Sequence, residues 1–569
     1  MWLLIEIFLV LLAVAIAFRF PELGSEWFGK VERAFGELAR RRRLAVVVVA
    51  VLPVVVRLAL LPLMPVPTPG GEDEFSYLLA ADTFAHGRLT NQPHPMWIHF
   101  ESINILQQPT YASMYFPVQG LFMAVGQVIF GSPWAGVLIS IGIMCGAICW
   151  MLQGWLPARW ALLGGLIAVI RLGIFSYWAN YLAGGAPTAI GGALVLGALP
   201  RIKRRQRVRD ALLMAIGLVI LANSRPYEGL IFSIPVGGAL LAWMLGKNSA
   251  PLRVSVRNVV LPVVLVLVVA AGAMGYYNWR VTGNPFLMPE QLNQDMYHRD
   301  RFFLWQSPRP QLDFRHKEMR DYDLYWVQEF QEARSLGDAV LLTWKKMIWI
   351  WFFFLGPVLT LPILALVAIV PYGYSWSRLS ERLRFLLCIF GVTMVGLLPE
   401  FYFNPHYVAA NTGFMLALVL ISMRYLRLWQ WREKPVGMFL VRAVPLICIV
   451  MAILCVGAKP MHIPFAASYP QSWCSTQPNN PSRAQILGEL VRLPGRQLVV
   501  VRYKSDHNPG DEWVYNEADI DNAKVVWAHE MDEGRNHKLI TYFKDRRVWL
   551  VEPDETPPKL SPYPVSFSP

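Results

Sequence analysis

Long apolar runs recur along this chain of 569 residues, and they limit the folds that are open to it. A run of about 18 apolar residues is long enough to cross a bilayer as a helix. Inside a membrane only helices and closed barrels satisfy all of their backbone polar groups. Charged residues make up 16% of the chain, against about 25% in soluble domains. The sequence therefore predicts a polytopic α-helical membrane protein.

The apolar runs and the basic clusters between them together predict about 12 spans. Basic loops favour the cytoplasmic side, and the cluster at Arg40–Arg43 sets the orientation. A further apolar run at 116–130 is interpreted as a helix lying at the outer interface, because a span there would place the basic cluster at 201–207 outside. The predicted spans are 2–18, 44–65, 137–156, 160–178, 187–199, 211–222, 230–245, 259–277, the second half of 340–370, 386–398, 407–423 and 436–456. The run 340–370 is too long for one span and is interrupted at Gly356-Pro357, so its first half is interpreted as interfacial or re-entrant.

The pattern divides the chain into three regions. Residues 1–43 form an extra N-terminal helix and a cytoplasmic amphipathic stretch, and residues 44–457 form the transmembrane core. Two polar segments of the core, the first loop (67–133) and the second loop (278–338), are predicted to be external. Residues 458–569 are predicted to be a small extracytoplasmic α/β domain with a Pro-rich tail. Its strand-like runs are 498–503, 524–528, 538–543 and 548–551, and 484–492 is helix-like.

Charge and cysteine usage exclude several classes of protein. The net charge of +13 does not indicate nucleic acid, because the basic clusters lie beside apolar runs and suit anionic lipid headgroups. Five of the six cysteines lie within apolar runs, and Cys474 stands alone in a polar stretch. Their spacing predicts neither a disulfide framework nor a zinc motif.

The first loop opens on three consecutive carboxylates, Glu72, Asp73 and Glu74, directly after a predicted span. Such a cluster is costly at a membrane boundary unless it faces water or a functional site. We interpret Asp73, with Glu74 beside it, as a general base for a substrate whose lipid tail lies in the bilayer. The alternative is that the carboxylates cap a helix or solvate a loop.

The residues that follow resemble a known family. Asp73-Glu74-Phe75-Ser76-Tyr77, then Ala80, Ala81 and Gly87-Arg88-Leu89, resemble the first external loop of the GT-C superfamily. These are membrane glycosyltransferases that use polyprenyl-phosphate sugars. The likeness is greatest to protein O-mannosyltransferases (glycosyltransferase family 39) and lipid A aminoarabinose transferases, and it covers about residues 44–425. Residues 117–131 resemble the interfacial helix of that family.

The resemblance implies an inverting transferase in which Asp73 deprotonates an acceptor that attacks the anomeric carbon. The polyprenyl phosphate then leaves, and cations stabilise its developing charge. Tyr77, Arg88 and Tyr407 are candidates to bind substrate. The candidates to bind the donor phosphate are Arg225, Arg280, Lys345, Lys346 and His406.

Several points stay open from the sequence. Arg225 also has Glu228 as a salt-bridge partner, and Lys345 and Lys346 also suit lipid headgroups. The loop at 181–187 lacks the acidic residue that many relatives have there, so a divalent metal stays an open question. The acceptor could be a protein, a lipid or a glycan. The predicted location is the cytoplasmic (inner) membrane. A transporter or flippase of lipid-linked glycans is the alternative function. It would need charged residues along a path through the bilayer, and the predicted spans carry few charges, mainly Arg57 and Arg171.

Overall fold

The structure, a computed structural model, describes residues 1–246, 251–369, 380–458, 473–474 and 480–564. Most of this length is helical. The helices up to the middle of the chain are α1 (Trp2–Arg19), α2 (Ser25–Arg40), α3 (Arg42–Ala59), α4 (Glu72–Ala85), α5 (Pro117–Phe130), α6 (Pro133–Trp155), α7 (Ala158–Ala168), α8 (Tyr177–Asn180), α9 (Ala186–Arg205), α10 (Val208–Ala222) and α11 (Pro226–Leu245).

The later helices include those of the second loop and of the C-terminal domain. They are α12 (Leu252–Ser255), α13 (Leu261–Thr282), α14 (Pro289–Tyr297), α15 (Lys317–Ala333), α16 (Leu336–Ile350), α17 (Gly356–Ile369), α18 (Glu381–Leu397), α19 (Thr412–Leu426), α20 (Val436–Gly457), α21 (Pro481–Arg492) and α22 (Glu533–Tyr542). Short π-helical or 3₁₀ turns extend several of them: Trp97–His99, Val169–Ile174, Val256–Val260, Trp351–Leu355 and Pro405–Asn411.

Seven helical segments of the described residues are long and apolar enough to cross a membrane, judged by length and composition. They are Trp2–Arg19, Pro133–Trp155, Pro226–Leu245, Leu252–Thr282, Leu336–Ala365, Pro405–Leu426 and Val436–Gly457. The prediction of a polytopic helical membrane protein is therefore confirmed. The other predicted spans also contain helices, but these are shorter or more charged, so the number twelve stays a prediction.

The apolar run at 116–130 forms α5, which has only 14 residues. At about 1.5 Å per residue such a helix measures about 21 Å, less than the ~30 Å of a hydrocarbon core. It packs closely on α6, where a Cβ at Gly136 would come within 1.9 Å of the Phe122 carbonyl oxygen. Its length supports our interpretation of an interfacial helix.

The predicted interruption at Gly356-Pro357 is present. A π-helical turn ends at Leu355, and Gly356 adopts φ +58°, a left-handed conformation that glycine accepts readily. A Cβ at Gly356 would lie 2.7 Å from Arg171 Nη2. The glycine thus lets the chain bend close around a buried guanidinium.

That guanidinium belongs to a buried ion pair between α1 and the core. Arg171 Nη1 lies 3.0 Å from Glu6 Oε1, and its Nη2 donates to the Leu355 carbonyl at 2.8 Å. The Val358 amide also donates to Glu6 Oε1, at 3.2 Å. Trp473 donates to the second Glu6 oxygen and lies under Arg171, 4.4 Å from its guanidinium carbon. The N-terminal helix is therefore fixed by charge as well as by apolar packing.

We expect Glu6→Gln to lower the free energy of unfolding by about 3–5 kcal/mol, because it leaves Arg171 buried without a counter-charge. Thermal unfolding in detergent micelles measures the effect. Replacing both partners, Glu6→Leu with Arg171→Met, should recover much of the loss. An unchanged unfolding temperature for Glu6→Gln would contradict a stabilising pair.

A disulfide between Cys455 and Cys474 holds the Trp473 segment to the end of α20. The prediction that Cys474 stands alone is therefore wrong. The spacing of 19 residues gave no signal, since one partner lies in an apolar run and the other in a polar stretch.

Arg57, the other charge within a predicted span, also has partners inside the protein. Its guanidinium donates to the side chain of Asn180 at 2.8 Å and to the carbonyls of Met64 and Pro65 at 2.7 and 2.9 Å. It stacks over Trp134 at 4.7 Å. Arg57 is therefore paired inside the protein.

The C-terminal region forms a small α/β fold, as predicted. Its sheet has the strand order β4–β3–β5–β6. The first loop contributes a separate two-stranded sheet. The strands are β1 (Ile105–Leu106), β2 (Ala112–Ser113), β3 (Arg496–Val501), β4 (Val525–His529), β5 (Arg546–Glu552) and β6 (Lys559–Pro562). Strands β4, β3 and β5 are parallel, and β6 is antiparallel to β5.

The strand predicted at 538–543 is wrong, because Glu533–Tyr542 is a helix. Asp532 caps it by accepting a hydrogen bond from the Arg535 amide at 3.0 Å. Leu539 and Phe543, four residues apart, are both buried on one side. This spacing fits a helix better than a strand.

The first loop and the α/β domain share one apolar core. Phe75 stacks on Tyr515 at 4.9 Å, and the Tyr111 hydroxyl donates to the Asn516 carbonyl at 2.7 Å. The Ala518 amide donates to Asp82 Oδ2, also at 2.7 Å. The domain therefore supports the helix, α4, that carries the acidic cluster.

Candidate functional site

A cavity of about 580 Å³ lies where the two polar loops meet the ends of the apolar helices. Its lining combines residues from six separate parts of the chain. They are Glu72, Asp73, Tyr77, Asn104, Tyr115 and Gln119 of the first loop; Ala183, Gly184, Pro187 and Thr188; Ser224 and Arg225; Glu290, Gln294, His298, Phe302, Tyr322, Tyr325 and Trp326 of the second loop; Lys345 and Lys346; and Phe401, Tyr402, Asn404, His406 and Tyr407.

Asp73 lies in the first turn of α4, and one of its oxygens is fixed by two donors. Oδ1 accepts a hydrogen bond from Asn104 Nδ2 at 2.9 Å and a very short one from the Tyr115 hydroxyl. Among the described residues no group hydrogen-bonds to Oδ2. The carboxylate is thus held by one oxygen and keeps the other for a substrate proton.

The two donors are themselves held in place. Asn104 adopts φ +65°, a conformation that asparagine tolerates better than most residues, and its carbonyl accepts from Ser76 Oγ at 2.6 Å. The ring of Tyr115 stacks on that of Tyr77 at 4.4 Å between centroids. Tyr77 therefore lines the cavity and also positions the residue that holds Asp73, and substrate binding by Tyr77 stays a prediction.

Burial controls the acidity of the cavity carboxyls. It raises the pKa of Asp73, while the hydrogen bond from Tyr115 and the charge of Arg225 act in the opposite direction. Burial and the neighbouring Asp73 raise the pKa of Glu72 to about 8. Burial raises that of Glu290 to about 7. The hydrogen bonds from Tyr115 and Asn104 and the charge of Arg225 favour the ionised form of Asp73, which is the form that a base needs.

Glu74 does not line the cavity, and its catalytic role stays an untested prediction. Its Oε2 accepts from the Gly70 amide at 2.8 Å, and its Oε1 accepts from the Leu182 amide at 3.0 Å. Successive helical residues point about 100° apart, so Asp73 and Glu74 face different surroundings. Glu74 caps α4 and ties the first loop to the 181–187 loop.

Arg225 precedes α11 and faces the cavity. It lies 3.5 Å from Glu228 Oε1, and its guanidinium carbon is 3.8 Å above the ring of Tyr407. Its Nη2 donates to His406 Nε2 at 2.6 Å. Arg225 therefore pairs with Glu228 and lines the cavity at the same time.

The contact with Arg225 also fixes the tautomer of His406. Arginine only donates, so His406 Nε2 accepts and its proton lies on Nδ1. Nδ1 is 2.9 Å from the Tyr177 hydroxyl. His406 is thus a neutral support that holds Arg225, rather than a second cation.

The two lysines differ. Lys346 is buried, and its ammonium donates to the carbonyl of Leu397 at 2.8 Å and, by a shorter contact, to that of Glu400. Lys345 is exposed at the cavity wall. Of the pair, Lys345 is therefore the one better placed to meet a phosphate.

Arg280 and Arg88 do not line the cavity, and their binding roles stay untested predictions. Arg280 lies near the end of α13 and donates to the Tyr276 hydroxyl at 3.2 Å. Arg88 lies just beyond α4, on the side of that helix where Asp519 of the C-terminal domain is close. The family motif located Arg88 in the chain, but it did not predict which side of α4 the arginine side chain faces.

Sequence reasoning missed much of the wall. Asn104 and Tyr115 come 31 and 42 residues after Asp73, in a loop without periodicity. The α14 and α15 residues were anticipated only as part of an aromatic-rich loop. The Tyr322 hydroxyl lies 3.4 Å from Glu72 Oε1, so α15 closes over the acidic cluster.

A second cluster, His316, Glu318 and His529, joins the second loop to the α/β domain. One candidate ligand atom from each lies within 4.8 Å of the others. His316 Nε2 faces the Ile98 carbonyl at 2.7 Å, and His529 Nε2 faces the Glu101 carbonyl at 2.8 Å. Because a carbonyl only accepts, both Nε2 atoms carry protons and both Nδ1 lone pairs remain for a cation. This cluster is therefore a candidate site for a divalent metal.

We expect Tyr115→Phe to shift the acidic limb of the activity profile to higher pH by about one to two units. A hydrogen bond to a charged group contributes about 1.5–3 kcal/mol, and 1.36 kcal/mol corresponds to one pKa unit. Losing it raises the pKa of Asp73 further, so the carboxylate is protonated over a wider range at low pH. Transfer rates measured across pH test this, with Tyr276→Phe as the matched control outside the cavity. If the acidic limb of the pH profile were the same in Tyr115→Phe and in the wild type, the role of Tyr115 would be contradicted.

These features define a class of site: a carboxylate opposite an arginine in a cavity at the ends of membrane helices. No family model and no curated protein matches the chain. Among solved structures it is similar to ArnT from Cupriavidus metallidurans in the apo state, with 12% identity, 88% of this chain and 92% of that chain covered, and a TM-score of 0.47. The same protein bound to undecaprenyl phosphate matches with the same identity and coverage and a TM-score of 0.45.

A second similar structure is AglB, the oligosaccharyltransferase of Archaeoglobus fulgidus, in complex with an inhibitory peptide and a dolichol-phosphate. It shows 11% identity over 90% of this chain and 70% of that chain, with a TM-score of 0.45. Both neighbours have TM-scores under 0.5 and at most 12% identity to this chain. The function of this protein is therefore argued below from its own residues.

Proposed function

We propose that this protein is a glycosyltransferase that moves a sugar from a polyprenyl-phosphate donor to an acceptor. The observation that carries the proposal is the pairing of Asp73 and Arg225 in one cavity at the ends of apolar helices. A base and a phosphate-binding cation are the two groups that such a transfer needs. Apolar helix surfaces beside the cavity suit the lipid tail of the donor.

In this mechanism Asp73 Oδ2 removes the proton of the acceptor as the acceptor attacks the anomeric carbon. The bond from that carbon to the phosphate oxygen breaks, and the configuration inverts. Arg225, backed by His406, stabilises the negative charge on the leaving phosphate, and Lys345 adds to that field. Tyr407 holds the guanidinium from its other face.

The location follows from topology and is part of the proposal. We place the protein in the cytoplasmic membrane, with the cavity and the α/β domain on the extracytoplasmic side, because the basic clusters mark the opposite side. The acceptor is then a protein, a lipid or a glycan that is exposed there.

The alternative, a transporter or flippase of lipid-linked glycans, needs polar groups along a path across the bilayer. Two buried charges of the predicted spans are instead paired inside the protein: Arg171 with Glu6, and Arg57 with Asn180 and two carbonyls. The polar cavity lies at one end of the helices. This asymmetry favours an enzyme.

A transfer assay tests the proposal. Membranes with and without the protein receive a panel of radiolabelled polyprenyl-phosphate sugars, and the label is followed into protein, lipid and glycan fractions. Protein-dependent label in one fraction identifies the sugar and narrows the acceptor. Binding of donors without transfer to any fraction would favour the transporter.

We further propose that a divalent cation at His316, Glu318 and His529 joins the second loop to the α/β domain. We expect purified protein to carry about one such ion per chain, and His529→Ala to lose it. Elemental analysis measures this, with His94→Ala as the control, since His94 pairs with Asp521 instead. Equal metal content in both variants would contradict the site.

A further inference from the structure

One wall of the cavity carries buried polar atoms without partners. Gln294 lies in α14 and His298 follows its last residue, and both are about 3% exposed and line the cavity. Among the described residues, no hydrogen-bond partner meets Gln294 Oε1 or either ring nitrogen of His298. Buried polar atoms in native proteins almost always have partners, so a pair of such side chains on a cavity wall points to a ligand.

The wall is rigid behind these side chains. Arg309 Nη1 donates to the carbonyls of His298 and Asp300, at 3.2 and 2.7 Å. The Tyr402 hydroxyl makes a very short hydrogen bond to Asp300 Oδ2. His298 Nδ1 lies 3.6 Å from Asp300 Oδ1, which is too long for a hydrogen bond. The backbone therefore holds the imidazole in position, and both ring nitrogens stay available for a ligand.

Aromatic rings stand beside the unpartnered atoms. Tyr322 meets His298 edge to face, with 5.9 Å between ring centroids, and Trp326 lies 5.4 Å from Tyr402. All four line the cavity. Tyr322 also reaches Glu72, the neighbour of Asp73 in the chain, so this wall adjoins the reacting centre.

We propose that Gln294 and His298 form the subsite for the hydroxyl groups of a sugar ring held against Tyr322 and Trp326. This inference rests on the proposed glycosyl transfer and deepens it. An amide and an imidazole offer both donors and acceptors, as a hydroxyl-bearing ring requires, and the aromatic faces suit its C–H face. The sugar belongs to the donor or to a glycan acceptor.

Binding of two carriers separates this subsite from the phosphate site. Purified protein is titrated with polyprenyl phosphate and with the polyprenyl-phosphate sugar that is active in the transfer assay. Two single variants are compared, Gln294→Leu and His298→Phe. For each we expect about tenfold weaker binding of the sugar-bearing carrier, from the loss of its hydrogen bonds to the sugar. Bare polyprenyl phosphate should bind as to the wild type. Gln328→Leu, on the exposed face of α15, is the matched control.

Stability distinguishes a binding role from a structural one. Removing unpartnered buried polar atoms should leave the unfolding temperature unchanged or raise it, while sugar affinity falls. His298→Gln keeps a donor and an acceptor and should retain part of the affinity. A variant that loses affinity only because it is destabilised would overturn the subsite.

The remaining outcomes are also decisive. Unchanged donor affinity with a raised KM for a glycan acceptor assigns the subsite to the acceptor sugar. Wild-type affinity and wild-type KM in both variants overturn the subsite and leave the glycosyltransferase proposal standing. Failure of the wild type to bind either carrier overturns both proposals.

Discussion

Asp73→Asn is expected to reduce sugar transfer by about 10²–10⁴-fold, because the amide cannot accept the proton of the acceptor. The substitution keeps the size of the side chain and an oxygen for Asn104 and Tyr115, so the cavity should keep its shape. Donor binding should change much less than the rate. The measurement is the single-turnover rate in proteoliposomes with saturating donor, together with donor affinity.

Glu74→Gln is the informative comparison, one residue away. Glu74 accepts hydrogen bonds from the amides of Gly70 and Leu182, so its change should lower the unfolding temperature and leave the folded fraction active. Equal transfer by Asp73→Asn and wild type would remove Asp73 as the base. A rate loss confined to Glu74→Gln, with stability unchanged, would restore the role that the sequence gave to Glu74.

Arg225→Gln is expected to reduce the transfer rate by about 10²–10³-fold, the size of effect seen when a preorganised donor to developing negative charge is removed. The loss arises at the leaving phosphate, so donors with better leaving groups should be affected less. Comparing the natural donor with an activated phosphate analogue measures this difference.

Two variants keep the interpretation of Arg225 clear. Arg225→Lys keeps the positive charge but loses the planar guanidinium that donates to His406. We therefore expect a transfer rate between those of Arg225→Gln and the wild type. Glu228→Gln breaks the 3.5 Å ion pair and leaves Arg225 in place, which separates a structural loss from a catalytic one. Wild-type rates in Arg225→Gln would contradict phosphate binding by this residue.

The sequence predicted those features that depend on local pattern. Apolar runs gave the helices, and Gly356-Pro357 gave the break before α17. The acidic cluster indicated Asp73, because three carboxylates at a membrane boundary need a reason to be there. Arg225 was found from its place at the end of a span and from the chemistry of a leaving phosphate.

What the sequence could not predict depends on direction and on distant contacts. Asp73 and Glu74 are neighbours in the chain, yet the helical turn sends one to the cavity and the other to backbone amides. Arg280 fits the expected depth but lies outside the cavity. Tyr115 lies in a loop that has no period of its own, and Gln294 lies in a nine-residue helix of a segment that the sequence predicts only as a polar loop.

The shared core of the first loop and the α/β domain has a consequence for the time at which the site forms. Asp82 and its partner Ala518 are 436 residues apart in the chain. At synthesis rates of about 5–20 residues per second, the acidic cluster waits about 20–90 s for the segment that packs against it. During that interval α4 lacks the apolar cover that Tyr515 gives to Phe75. The acidic helix is therefore expected to reach its final packing only after the α/β domain has folded against it.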